Sequence, residues 1–182
     1  MNIKETIRQC GFVSHELRSS FFSKMTLPQI REWLEFNGFS RHLPIVTFST
    51  EVAICTPKGV IMQIKPADNN RLCMWGGEIN CGEEPVDGAV RELFEETGLI
   101  VEPNQLKFKQ FIEHEHTYAN GNVVRYNSFR YALVLNEVPK IILDPESSGY
   151  CFINSLSSEE TVNKILPVQK EFILALAEEY CA

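Results

Sequence analysis

The pattern of hydrophobic and polar positions divides the chain into a helical first part and a longer part that mixes strands and helices. Residues 1–43 show helical spacing, with Ile30 and Leu34 on one face. Pro44 then interrupts this spacing. We therefore expect an N-terminal helical extension over residues 1–43, followed by one compact domain over residues 44–182.

Segments rich in β-branched and apolar residues predict the strands of this domain. They cover residues 45–56, 59–65, 72–79, 106–118, 123–135 and 151–153. The fourth and fifth segments flank Asn120-Gly121, which is a strong signal for the turn of a β-hairpin. The third segment contains Gly76-Gly77, where the backbone can adopt conformations closed to other residues and can be approached closely.

Two segments have the spacing of amphipathic helices. Residues 85–97 begin with Pro85, which suits a first helical turn, and Gly98 follows them as a stop signal. The expected buried face of this helix consists of Val86, Ala89, Val90 and Leu93. A second helix is expected from Leu166-Pro167 to the end of the chain.

Composition and charge restrict the possible functions. Hydrophobic residues make up 44% of the chain and charged residues 23%, which is ordinary for a soluble globular protein. The formal net charge of −7 argues against general binding of a nucleic-acid polymer, which needs a basic surface. No apolar run approaches the roughly 20 residues of a membrane span, and the first residues lack the apolar stretch of a signal peptide. We therefore expect a cytoplasmic protein without membrane or nucleic-acid partners. The six cysteines contain no C-x-x-C pair, so we expect them to be mostly free thiols.

Three glutamates in the helix over residues 85–97 are the candidate chemical groups. Glu92, Glu95 and Glu96 are spaced i, i+3 and i+4, which places their carboxylates on one helix face. Without neutralisation, each like-charged pair at this spacing costs a helix about 0.2–0.5 kcal/mol. Carboxylates suit Mg²⁺ or Mn²⁺ in combination with substrate phosphates. A solvated surface stripe is the simpler interpretation of an isolated E-x-x-E-E, so the surrounding residues must decide.

The surrounding residues favour the chemical interpretation. Residues 77–99 resemble the Nudix box, G-x5-E-x7-R-E-U-x-E-E-x-G-U, in which U is a bulky aliphatic residue. All nine specified positions are met, with Leu93 and Leu99 at the aliphatic ones. The resemblance implies a Nudix fold of the α/β (α+β) class, in which a mixed β-sheet lies between helices as an α/β/α sandwich.

The resemblance also implies roles for individual residues. The family's metal-binding glutamates are matched by Glu92, Glu95 and Glu96. The backbone carbonyl of Gly76 matches a further metal ligand. Arg91 and Glu83 match a pair that holds the loop against the helix, so we expect both to support the metal ligands. Either Glu92 or an acid outside the box is expected to deprotonate or orient the attacking water.

Residues outside the box supply candidate substrate contacts. Trp75 departs from the family's habit, because proline often precedes the paired glycines. Its ring could stack on a nucleobase or pack the loop, and packing is the simpler interpretation. Arg125 is a candidate phosphate contact, and Glu146 is a candidate substrate-binding or additional acidic residue.

The segment Glu113-His114-Glu115-His116 has two interpretations. Strand alternation places both histidines on one face and both glutamates on the other. Paired histidines can bind metal, and the family often recruits another glutamate from outside the box, for which Glu113 and Glu115 are candidates. A polar strand end is the simpler alternative.

These features predict a metal-dependent hydrolase that uses Mg²⁺ or Mn²⁺. The expected substrate is a nucleoside diphosphate linked to another moiety, such as a nucleotide sugar, ADP-ribose or a dinucleotide. One alternative is a nucleoside triphosphate pyrophosphatase acting on modified nucleotides, and another is a nucleotide-sensing domain without turnover. The extension over residues 1–43 could cap the substrate cleft, form a homodimer contact or pack against the domain.

Overall fold

The computed structural model describes residues 45–80, 82–117 and 123–181. The helical extension predicted over residues 1–43 lies outside these ranges, as does the predicted hairpin turn at Asn120-Gly121.

The described chain forms six strands and three α-helices. The strands are β1 (Ile45–Thr56), β2 (Gly59–Lys65), β3 (Arg71–Cys73), β4 (Leu106–Thr117), β5 (Val123–Val134) and β6 (Gly149–Ile153). The helices are α1 (Pro85–Thr97), α2 (Glu159–Asn163) and α3 (Pro167–Tyr180). Within the described residues every predicted strand and helix is present, although the extended segment predicted over residues 72–79 forms a strand only at its start, over Arg71–Cys73, and α2 was not predicted. It has only five residues and begins at a Ser158 N-cap, so it is too short to show an apolar periodicity.

The strands form one mixed sheet in the order β3-β2-β1-β5-β4, and the sixth strand, β6, lies outside this path and also pairs with β2. Strand β1 runs parallel to β5, whereas the remaining pairs are antiparallel. After β3 the chain continues alongside β1 through isolated bridges from Trp75 to Val52 and from Glu78 to Ser49. The sheet thereby places the Gly76-Gly77 segment directly beside β1.

Two hydrophobic clusters lie on opposite faces of this sheet, because alternate residues of a strand point to opposite sides. The cluster under α1 includes Val52, Ile54, Leu133, Ala89 and Leu93. The cluster under α3 includes Ala53, Cys55, Ala132, Ile173 and Leu176. Helices therefore cover both faces of a mixed sheet, which confirms the predicted fold class. No helix in the described ranges is long and apolar enough to cross a membrane.

The cysteines of the described ranges are free thiols, as the sequence predicted for most of them. Cys55, Cys73, Cys151 and Cys181 form no disulfide. Burial raises the pKa of Cys55 and of Cys73 to about 12. Both thiols therefore stay protonated at neutral pH and serve as packing groups.

A buried ion pair joins β1 to β5 on the face that α3 covers. Arg130 is 2% exposed and donates from Nε to Glu51 Oε2 at 2.6 Å. The other carboxylate oxygen of Glu51 accepts from Gln169 Nε2 at 2.6 Å. We expect Glu51→Gln to lower the free energy of unfolding by about 3 kcal/mol, because it leaves the buried guanidinium without its counter-charge. Urea unfolding measures this change.

The exposed pair between Arg125 and Glu115 provides a matched control. The two side chains are about half exposed, and Arg125 Nη2 lies 2.7 Å from Glu115 Oε1. Glu115→Gln is expected to change the free energy of unfolding by less than about 1 kcal/mol, as is usual for exposed ion pairs. Equal losses in the two variants would show that burial does not strengthen the Glu51 pair.

Candidate active site

Helix α1 presents Glu92 and Glu96 toward the glycine segment beside β1. The helix begins at Pro85 and ends at Thr97, as predicted. Gly98 follows in the left-handed conformation, with φ of 70°, and its N–H donates to the carbonyl of Phe94 at 2.8 Å. Because Ala89 and Leu93 are fully buried against the sheet, the helix is fixed and its acidic face has a defined direction.

Arg91 connects the acidic helix to the loop that precedes it. Its Nε and Nη2 donate to the two carboxylate oxygens of Glu83 at 2.8 and 2.9 Å. Its Nη1 donates to Glu92 at 2.6 Å and to Glu95 at 3.1 Å, and Nη2 also donates to the carbonyl of Glu78 at 2.9 Å. These contacts use all five N–H groups of the guanidinium. Arg91 therefore holds loop and helix together and neutralises part of the acidic charge.

The acids at this site differ in the pKa that their surroundings impose. The hydrogen bonds from Arg91 lower the pKa of Glu83, so that carboxylate stays ionised. Burial raises the pKa of Glu92, and the nearby charges of Glu96 and Glu95 add to the increase while Arg91 opposes it. Ionised Glu92 is therefore in a position where further positive charge would stabilise it.

Glu96 is the most buried of the three helix glutamates, at 4% exposed. Its Oε1 accepts from Lys65 Nζ at 2.7 Å, and its Oε2 accepts from the backbone N–H of Gly76 at 2.6 Å. Gln63 Nε2 lies 3.2 and 3.1 Å from the two oxygens. Burial raises the pKa of Glu96, although Lys65 and the hydrogen bonds oppose that shift.

The paired glycines let the backbone pass between β1 and the acidic helix. Gly76 has a φ of 140°, and a Cβ there would lie 2.0 Å from the carbonyl oxygen of Thr50. A Cβ at Gly77 would lie 2.6 Å from Glu92 Oε2. The absence of side chains therefore leaves room for the Glu92 carboxylate against the loop.

The residues at this site fit a divalent cation by their donor chemistry. Within residues 45–80, 82–117 and 123–181, no three acidic, histidine or cysteine side chains already converge as a metal site. The helix carboxylates are instead held by Arg91 and Lys65. They are hard oxygen donors, as Mg²⁺ and Mn²⁺ require. The Glu92 carboxylate occupies the place that a side chain at Gly77 would otherwise take.

Trp75 has a different environment from the substrate contact considered above. It is fully buried, it belongs to the cluster under α1, and its Nε1 donates to the carbonyl of Ile61 at 2.9 Å. A buried ring has no open face on which a base could stack. The structure therefore assigns Trp75 to core packing, which was the alternative interpretation.

The other two candidate substrate residues lie in different places. Arg125 is exposed on β5 and pairs with Glu115 on β4. Glu146 is also exposed, and its Oε2 lies 3.5 Å from Lys65 Nζ. Only Glu146 is thus linked to the acidic site by a described contact, through Lys65.

The two histidines of β4 share one strand face, but each has its own neighbour. The ring of His114 stacks on Tyr126 with centroids 5.5 Å apart, and burial lowers the pKa of His114. His116 Nε2 lies 3.5 Å from Asp68 Oδ2. No metal-binding group that includes them is found in the described ranges.

Sequence reasoning missed Lys65 and Gln63. Both lie in β2, whose apolar and β-branched composition predicts a strand but no polar site. Residues two apart in a strand share a face, so Gln63 and Lys65 lie on the same side of β2. Two polar residues on one face at the end of an apolar strand are the sequence signal that could have identified them. Nothing local indicated that this face would meet Glu96.

Comparison with known proteins identifies a family for this arrangement. The family model of the NUDIX domain matches residues 48–174. Among curated protein sequences, none matches the chain closely enough to count as a relative.

Solved structures with the same fold share little sequence with this chain. A MutT protein from Methanosarcina mazei Go1 is 17% identical, with a TM-score of 0.58 over 75% of this chain and 96% of that chain. The dihydroneopterin triphosphate pyrophosphohydrolase of E. coli is 21% identical, with a TM-score of 0.54 over 73% and 94%. A bifunctional NMN adenylyltransferase/ADP ribose pyrophosphatase of Francisella tularensis, complexed with AMP and a Mn ion, is 18% identical, with a TM-score of 0.59 over 90% and 48%. At these identities the likeness shows the fold alone.

Proposed function

This chain belongs to the Nudix family of hydrolases, and on that premise we propose that it cleaves a phosphoanhydride in a nucleoside diphosphate linked to another moiety. One observation carries the proposal: two glutamates of α1 meet the same glycine segment. Glu96 accepts the N–H of Gly76, and Glu92 lies where a Cβ at Gly77 would collide with it. The carboxylate oxygens of Glu92 and Glu96 therefore lie next to the backbone of Gly76 and Gly77.

The protein groups at this point have distinct proposed roles. The proposed metal ligands are Glu92, Glu95, Glu96 and the backbone carbonyl of Gly76. Arg91 and Glu83 keep helix and loop in register through their two-point contact, which preserves the spacing of these ligands.

A bound Mg²⁺ or Mn²⁺ supplies positive charge that neutralises the diphosphate and lowers the pKa of water. Charge neutralisation is necessary here, because an anionic substrate approaches a protein of net charge −7. We assign Glu92 the role of orienting or deprotonating the attacking water; burial raises the pKa of its carboxyl, which favours proton uptake over that of an ordinary glutamate. Attack of water on phosphorus releases a nucleoside monophosphate and a second phosphorylated product.

Two of the structurally similar proteins are named for different kinds of substrate. The Francisella tularensis relative is named for ADP ribose, a diphosphate conjugate, and the E. coli relative for a triphosphate. A conjugate of a nucleoside diphosphate is our first candidate. A modified nucleoside triphosphate is the second, favoured by the E. coli likeness.

Incubation with Mg²⁺ and a panel of nucleotides tests the proposal. The panel contains ADP-ribose, nucleotide sugars, dinucleotides and nucleoside triphosphates, and the products are separated by ion-exchange chromatography. We expect metal-dependent release of a nucleoside monophosphate from one of the conjugates, whereas pyrophosphate release would assign the enzyme to triphosphates. Binding of a nucleotide without metal-dependent turnover of any compound would contradict the proposal and favour a sensor.

A further inference from the structure

The carboxylate of Glu96 is held by three protein donors. Its Oε1 accepts from Lys65 Nζ, its Oε2 accepts from the backbone N–H of Gly76, and Gln63 Nε2 lies within hydrogen-bond distance of both oxygens. Gln63 has one N–H for the two oxygens to share, because its other N–H donates to the carbonyl of Met74. A divalent cation that binds Glu96 Oε1 therefore competes with the Lys65 ammonium for that oxygen.

Gln63 and Gly76 are fixed in place. Gln63 is fully buried, its Nε2 also donates to the carbonyl of Met74 at 2.9 Å, and its Oε1 accepts from Ser147 Oγ at 2.6 Å. The donor of Gly76 is a backbone N–H in a segment hydrogen-bonded to β1 on both sides, through Trp75 and Gly77. Neither donor can leave Glu96 without breaking other buried hydrogen bonds.

Lys65 is the donor that can leave. Its side chain is 21% exposed and carries the ammonium on a flexible four-carbon stem. A second acid is already within reach, because Glu146 Oε2 lies 3.5 Å from Lys65 Nζ. Glu146 is 75% exposed, so it can follow the ammonium toward solvent.

We propose that Lys65 is a displaceable internal cation that occupies Glu96 until a divalent metal arrives, and that Glu146 then retains its ammonium. The proposal rests on the proposed function, since it takes the α1 glutamates as the metal-binding acids. Lys65 competes with the metal for the same carboxylate oxygen and repels it by charge. Lys65 thus lowers metal affinity and keeps the buried carboxylate neutralised in the metal-free enzyme.

Metal affinity without substrate gives the direct measurement, with free Mn²⁺ followed by electron paramagnetic resonance. Lys65→Met is expected to tighten Mn²⁺ binding about tenfold, because one partner of a competing, partly buried ion pair is removed. Lys65→Arg keeps the charge, and its Mn²⁺ affinity is expected to stay within about threefold of that of the unmodified protein.

Lys109→Met is the matched control and is expected to have no effect on Mn²⁺ affinity. Lys109 is 23% exposed, also pairs with an acid, and lies on β4 at the opposite edge of the sheet.

A double-mutant cycle separates displacement from a general effect of charge. Glu146→Gln removes the acid that retains the displaced ammonium, and is expected to weaken Mn²⁺ binding about threefold while Lys65 is present. In the Lys65→Met background the same change is expected to have no effect. Additive effects of the two substitutions would overturn the proposal, because each residue would then act only through its own charge.

The remaining outcomes are also informative. Unchanged or weaker Mn²⁺ binding in Lys65→Met, with normal binding and turnover in the unmodified protein, would overturn the inference and leave the proposed function intact. Failure of the unmodified protein both to bind Mn²⁺ and to turn over any member of the panel would instead overturn the proposed function.

Discussion

Replacing Gly76 with alanine is expected to lower the free energy of unfolding by about 4 kcal/mol, through backbone strain and a steric clash together. The φ of 140° at Gly76 is one that residues with a Cβ rarely adopt, and the added carbon would lie 2.0 Å from the carbonyl oxygen of Thr50. Relief of that contact requires the loop to move away from β1. The movement would also withdraw the N–H that Glu96 accepts.

Gly82 provides the control that separates strain from the clash. It also has a positive φ, of 77°, but a Cβ there has no heavy atom within 4 Å among its described surroundings. Gly82→Ala is therefore expected to cost only about 1 kcal/mol, from strain alone. Urea unfolding of both variants provides the comparison. Similar losses would show that the close approach at Thr50 does not constrain Gly76.

Replacing Glu92 with glutamine is expected to reduce kcat by about three orders of magnitude on the substrate that the panel identifies. The amide keeps the size of the side chain but loses the charge that would hold the cation and activate water. Each tenfold decrease in rate corresponds to about 1.36 kcal/mol of lost transition-state stabilisation, so a thousandfold decrease in kcat corresponds to about 4 kcal/mol. Mn²⁺ affinity is expected to fall in parallel.

The fold should survive this substitution. Glu92 is a partly buried carboxylate with a raised pKa, so neutralising it removes an unfavourable charge while losing the contact with Arg91. We expect the free energy of unfolding to change by less than about 1 kcal/mol, because these two effects offset each other. Glu178→Gln, on the exposed face of α3, serves as the control and should retain full activity. Turnover by Glu92→Gln at the unmodified rate would exclude Glu92 from the catalytic site.

The acidic helix shows why part of the site could be predicted from sequence. Pro85 and Gly98 mark its ends, and the spacing of Glu92, Glu95 and Glu96 fixes their common face. These features depend on residues within one or two helical turns, so local geometry is sufficient to define them. The Nudix box itself occupies consecutive positions, and for that reason the family was also visible in the sequence.

Trp75 shows the limit of such reasoning. The sequence left two interpretations open, stacking on a nucleobase or packing of the loop, with packing the simpler one. The bridge to Val52 brings this part of the loop into the sheet and buries the side chain. The pairing of the loop with β1 is a tertiary contact. No residue near Trp75 in the sequence specifies it.

The sequence by itself determined the strands, the two main helices, the line of three glutamates on α1 and the family to which they belong. Only the tertiary structure decided the charge partners: Lys65 is 31 residues from Glu96 of α1 in the chain, and Glu51 of β1 is 79 residues from Arg130. The physical reason is that periodicity and capping are local, whereas charge partners are chosen by strand order, register and the packing of helices on the sheet.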